Sequence, residues 1–99
     1  MKRQILTALF TATLATSASA GDPAAGKVRS ASCAGCHGVD GISVVPKYPN
    51  LAGQNAGYLI LTLKGFRDGT RENNVMNAMA KSLSDADIEN LAAFYSSLK

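Results

Sequence analysis

Apolar positions recur at helical spacing in two stretches of the second half of this chain. Ile88, Leu91, Ala92, Tyr95 and Leu98 fall at i, i+3, i+4, i+7 and i+10, which puts them on one face of an α-helix. Ser84-Asp85-Ala86-Asp87 just ahead has the form of a capping box, with acidic residues crowding the positive end of the helix. Leu59, Leu63 and Phe66 at i, i+4 and i+7 predict a second helix from Asn55 to about Arg67, its face broadened by Tyr58, Leu61 and Thr62. Asp68-Gly69 ends it, with Gly69 a natural C-cap. Nearer the start, Asp22-Pro23 reads as an N-cap followed by proline at the first helical position, so a further helix is expected from Pro23 to about Ser32. Gly26 falls inside that helix, where glycine costs roughly 1 kcal/mol against alanine. It reads either as a tolerated glycine or as the point where another helix comes close.

Between these elements the patterning is weaker. From Gly38 to Gly53, glycines, prolines, Asp40 and Asn50 punctuate the chain as turns and irregular backbone. Val44-Val45 is too short a run for a strand, and Pro46 closes it. A loop of this length in a compact domain is usually functional. Thr70 to Ala80, which holds Met76 and Met79, shows little regular pattern and predicts about one turn of helix. No internal repeat or low-complexity tract is visible, and the chain reads as a single all-α domain with long loops.

The first twenty residues read differently. Met1-Lys2-Arg3 is a short cationic start, Ile5 to Ala15 is apolar and small, and Ala18-Ser19-Ala20 is a cleavage site of the A-x-A form. This is the layout of a secretory signal peptide spanning residues 1–20, predicting an exported mature domain over residues 21–99. A membrane anchor fits poorly, because the stretch is short, carries several Thr and Ser, and ends in small residues. No other long apolar run follows, so no membrane span is expected in the mature chain. Lys2 and Arg3 supply two of the chain's formal +3 charges and leave with the signal. The remaining basic residues are scattered singly, which argues against nucleic-acid binding. A mature domain this small has a marginal core, and this one has no Trp and much Ala. Such domains usually need a staple from disulfides, a metal or a cofactor.

Cys33-Ala34-Gly35-Cys36-His37 supplies a candidate. C-x-x-C-H is the attachment sequence of a c-type haem. Two thiols three positions apart can reach the two vinyl groups of one porphyrin, and the next histidine is then held beneath the ring with a nitrogen toward iron. Three other readings compete. A thioredoxin-like pair wants a βαβ setting, which is not seen here. Structural zinc takes four ligands, and two cysteines with one histidine fall one short. A disulfide would suit an exported chain. A single histidine rules out bis-histidine coordination within one molecule. The reasonable choice for a sixth protein ligand is then methionine, Met76 or Met79, whose ordinary alternative is core filling.

The residues resemble the class I c-type cytochromes, in particular small bacterial periplasmic monohaem proteins and the single-haem halves of dihaem c-four-type cytochromes. The resemblance runs through Gly26-Lys27, Cys33 to Gly38, Pro49-Asn50-Leu51-Ala52-Gly53-Gln54, Leu83 to Ile88 and Leu91 to Tyr95. It implies a cytochrome c-like fold of three to five helices wrapped around one covalently bound haem c. Cys33 and Cys36 would carry the thioethers and His37 would be the proximal iron ligand. The Pro49 carbonyl would accept a hydrogen bond from that histidine. Gly26 and Phe94 would mark the crossing of the first and last helices. The family's methionine ligand lies about seven residues before the leucine of the Leu-Ser-Asp motif. Met76 has that spacing to Leu83 and is the expected ligand, with Met79 as fallback. Many members have proline directly after the methionine, where this chain has Asn77.

The resemblance further implies a periplasmic electron carrier, not an enzyme, that docks transiently with redox partner proteins at an exposed haem edge. Lys47, Lys64, Arg67 and Lys81 are candidate contacts that read equally as ordinary solvated surface. A haem-bearing subunit of a larger respiratory or dehydrogenase complex is the alternative. A haem sensor with an open or labile sixth site is a third.

Overall fold

The computed structural model describes residues 21–99; the expected export signal at residues 1–20 lies outside them. Five helices follow in order: α1 Pro23–Arg29, continued by a 3-10 turn over Ser30–Ser32, α2 Ala34–His37, α3 Ala56–Asp68, α4 Asn74–Ala80 and α5 Asp85–Ser97. No strand occurs among the described residues, and Val44-Val45 lies in bends and turns. The domain is all-α, as its patterning predicts.

α5 is the spine. Ser84 Oγ accepts from Asp87 N at 3.0 Å and Asp87 Oδ2 accepts from Ser84 N at 3.0 Å, completing the capping box. Ile88, Leu91, Ala92, Phe94 and Tyr95 of this helix are buried. Together with Leu59, Ala80 and Leu83 they form the core, against which Leu51, Ile60, Leu63, Phe66 and Leu98 pack. Leu98 continues the apolar face only in position, for it lies beyond the helix in extended backbone.

α1 crosses α5 at Gly26. A Cβ there would lie 1.9 Å from Asn90 O and 2.8 Å from Phe94 Cβ, so the glycine is required by close approach. Asp22 both caps α1, accepting from Ala24 N at 2.9 Å, and ties it to α5 by donating its own N–H to Asn90 Oδ1 at 2.8 Å. The predicted continuous helix to Ser32 tightens into the 3-10 turn after Arg29. Such turns are common at helix ends, and this one leads into the Cys33 segment.

α3 begins at its cap, Asn55, whose Oδ1 accepts from Tyr58 N at 3.1 Å, and ends at Gly69 in the left-handed region with φ 83°. Two expectations need correction here. Leu61 does not belong to the buried face and is 72% exposed. At about 100° per residue it stands on the far side of the helix from Leu59. The methionine segment is also more regular than expected. Asn73 Oδ1 accepts from both Val75 N and Met76 N, and this cap supports two turns of α4 where one was expected.

Candidate functional site

The C-x-x-C-H residues are held in helical backbone. Cys33 O accepts from Cys36 N at 3.2 Å and from His37 N at 2.9 Å, closing the turn of α2. The thiols, spaced i and i+3, therefore stand on one side of it. Both are free and half-buried. Gly38 follows with φ 83°, and a Cβ there would lie 1.9 Å from Ile42 O, so the chain turns sharply after the histidine.

The loop to Gly53 is irregular yet well tied. Gly41 O accepts from Leu51 N at 2.8 Å and Ala52 N at 3.0 Å. Asn50 Oδ1 accepts from Ser43 N at 2.7 Å, and Gly53 N donates to Tyr95 O of α5 at 2.9 Å. These bonds carry Pro49 to His37, whose Nδ1 lies 2.8 Å from the Pro49 carbonyl. A carbonyl oxygen only accepts, so Nδ1 carries the proton. The lone pair of this buried imidazole, 7% exposed, is left on Nε2. That is the tautomer and orientation a metal-binding histidine needs.

Cys33, Cys36 and His37 border a cavity of about 510 Å³, within the roughly 300–1,000 Å³ of small-molecule and cofactor sites. α3 contributes Leu59, Leu63 and Phe66 to its lining, α5 contributes Leu91 and Tyr95, and α4 contributes both Met76 and Met79. Met76 is half-buried, whereas Met79 is 43% exposed. The fold thus brings every residue singled out from the sequence for this site to one apolar cavity.

Tyr95 has a role that its place in the apolar repeat did not reveal. It is 2% exposed and borders the cavity, and its hydroxyl is a buried polar atom without a hydrogen-bond partner. Burial pushes the phenol well above its usual range, so it stays a neutral donor. The available signal was a single tyrosine on the buried face of α5, since a buried tyrosine normally finds a partner for its hydroxyl. Lys47 also borders the cavity, its ammonium 5.5 Å from the Tyr48 ring centroid. Arg67, one of the candidate contacts, is engaged within the chain. It is held by Asp85 at 2.7 Å and Asp68 at 2.9 Å, and it donates to Leu83 O at 3.3 Å.

The family model described as cytochrome c matches residues 23–99. The chain belongs to the cytochrome c family. Cytochrome c-554(548) of Halomonas halodenitrificans is 49% identical over 81 residues, covering 79% of this chain and 98% of that one. The thiosulfate dehydrogenase electron acceptor of Thiomonas intermedia is 47% identical over 77 residues, covering 77% of this chain and 36% of that one. The crystal structure of reduced cytochrome c4 from Pseudomonas stutzeri superposes with a TM-score of 0.77 at 42% identity, covering 81% of this chain and 47% of that chain. This cytochrome therefore spans nearly all of the Halomonas protein but less than half of the other two.

Membership makes this a haem-containing electron-transfer protein, and the family implies covalently bound haem c. The chain's own chemistry fits such a group. Two free thiols stand on one side of a helical turn, and an oriented imidazole, two methionines and a buried tyrosine whose hydroxyl has no partner border the same cavity.

Proposed function

We propose that the mature chain, residues 21–99, is a periplasmic monohaem electron carrier with haem bound through Cys33 and Cys36. His37 Nε2 and the Met76 sulfur would hold its iron. The observation that carries this reading is the single cavity bordered by both thiols, by His37 locked through Pro49, and by the half-buried Met76. The greater exposure of Met79 supports Met76 as the donor, with Met79 as fallback.

The bound haem supplies the one-electron couple of its iron. The protein's contribution is to hold the ligands in one arrangement for both oxidation states. Pro49 fixes the imidazole ring and its tautomer. The apolar side chains of α3 and α5 keep water from the cavity and favour the less charged, reduced state. A thioether donor shifts the couple in the same direction, relative to a second histidine. With His37 and Met76 both holding the iron, the chain would leave it no open position for a substrate. Partners then meet this protein through a small, transient interface.

Three measurements on purified holoprotein test this reading. A potentiometric titration should follow one single-electron wave. Carbon monoxide should leave the reduced spectrum unchanged at neutral pH; immediate binding would show an open sixth position and favour a sensor. Replacing both Cys33 and Cys36 with alanine should abolish accumulation of haem that survives acid extraction, and its full retention would refute attachment at these residues.

A second reading is supported by the relatives named as electron acceptors of thiosulfate dehydrogenase. In it the protein is a standing subunit of a larger redox enzyme. Purification under mild conditions separates the two, since a carrier emerges alone and a subunit emerges with its enzyme.

A further inference from the structure

Asn77 directly follows Met76, in the place where the family resemblance leads one to expect proline. Its side-chain amide makes three hydrogen bonds. Nδ2 donates to Phe66 O at 2.8 Å and to Arg71 O at 2.8 Å, while Oδ1 accepts from Asn73 N at 2.8 Å. Phe66 O belongs to the last turn of α3, whose carbonyls lack partners within the helix. One side chain therefore joins the end of α3, the connecting loop and the start of α4.

The loop it grips is itself folded back onto α3. Arg71 N donates to Gly65 O at 3.1 Å, and the Arg71 guanidinium carbon lies 4.9 Å from the Phe66 ring centroid. α4 has only seven residues, too few to be stable without such ties. Its far end is anchored by Ala80, fully buried in the core. Its near end, which carries Met76, is exposed at Asn73, Asn74 and Val75. There the Asn77 amide is the tie that reaches back to α3.

We propose that Asn77 is a positioning residue that sets the Met76 sulfur against the cavity and controls how readily an outside ligand replaces it. The proposal rests on the reading of Met76 as axial ligand. Where a proline would stiffen the backbone through its ring, asparagine holds the segment through hydrogen bonds, so its contribution is removable one atom group at a time. Asn77→Ala deletes all three bonds. Asn77→Asp keeps the shape and the acceptor for Asn73 N but replaces both donors with an oxygen facing two carbonyls.

The test titrates imidazole into oxidised holoprotein and follows loss of the long-wavelength sulfur-to-iron band. Wild type, Asn77→Ala, Asn77→Asp, Met76→Ala and the α5 cap variant Ser84→Ala are compared, with thermal unfolding recorded for each. Asn77→Ala should bind imidazole about tenfold more tightly or better, on the scale expected when a set of hydrogen bonds holding one state is removed. Asn77→Asp should do at least as much, and carries the test should Asn77→Ala yield no holoprotein. Ser84→Ala should lower the unfolding temperature without changing imidazole affinity. A change under about twofold in the Asn77 variants, or an equal change in Ser84→Ala, overturns the proposal. If Met76→Ala keeps the band, the ligand assignment itself fails and the proposal falls with it. If Met76→Ala loses the band while the Asn77 variants titrate like wild type, only the role of Asn77 is refuted.

Discussion

Gly26→Ala opposes two effects that are easily separated by size. Intrinsic helix propensity favours alanine by roughly 1 kcal/mol in a helix interior. Packing opposes it, because the new Cβ would lie 1.9 Å from Asn90 O and 2.6 Å from Asn90 C, where ordinary contact begins at about 3.4 Å. Both are backbone atoms of α5, so no side chain can swing aside, and α1 must retreat by about 1.5 Å from its seat. Overpacking of this kind typically costs 1–3 kcal/mol and occasionally more. The displacement also stretches the bond from Asp22 N to Asn90 Oδ1. A clash with fixed backbone belongs at the top of that range, about 3 kcal/mol, so packing wins by about 2 kcal/mol. In a domain of this size that lowers the melting temperature by about 10 °C. The assay is thermal unfolding of oxidised holoprotein followed by circular dichroism. Gly69→Ala is the comparison, since nothing stands within 4 Å and only its φ of +83° resists a side chain. Its cost should be about 1 kcal/mol. If Gly26→Ala melts at or above wild type, propensity governs the position and the close-approach reasoning is wrong.

Two further predictions come from the buried hydroxyl and the surface carboxylates. Tyr95→Phe should change holoprotein stability by less than about 1 kcal/mol in denaturant unfolding, because the hydroxyl it removes is buried without a hydrogen-bond partner; a loss well above that would show that the hydroxyl is bonded in the holoprotein. Hydrogen bonding with Ser84 holds the Asp87 carboxyl below its ordinary 3.8, and Arg67 does the same for Asp68 and Asp85. Groups depressed on folding stabilise above the unfolded value and lose that contribution as pH falls through the folded one. The melting temperature should therefore drop only below about pH 4 on this ground, and Asp87→Asn should flatten that acid limb. An acid limb identical to that of wild type would show that Asp87 contributes nothing to it.

Much of the site was legible because its chemistry is local in sequence. Cys33, Cys36 and His37 lie within one helical turn, and a spacing carries that information. The α5 cap was legible for a related reason, since a capping box is a short-range signal, whereas the pattern left Gly26 with two readings and only the family resemblance pointed to the crossing. What escaped depends on distant partners. The two turns of α4 hang on Asn73 and on an Asn77 amide that reaches back to Phe66, eleven residues earlier. No apolar repeat announces such a helix. Leu61 sits in a broad apolar stretch that reads as one face, while the 3.6-residue turn sends it to the outside. The tie of Arg67 to α5 was not legible because its partner Asp85 is eighteen residues away in sequence.

The most direct test of ligation by His37 and Met76 is the absorption spectrum of oxidised holoprotein, recorded side by side for wild type, Met76→Ala and Met79→Ala. The weak long-wavelength band of thioether-to-ferric-iron ligation should be present in wild type and in Met79→Ala and absent from Met76→Ala. If Met79→Ala loses the band while Met76→Ala keeps it, the exposed methionine is the ligand and the assignment must be reversed. If wild type lacks the band altogether, the sixth position is not held by methionine, and the proposed carrier is contradicted at its centre.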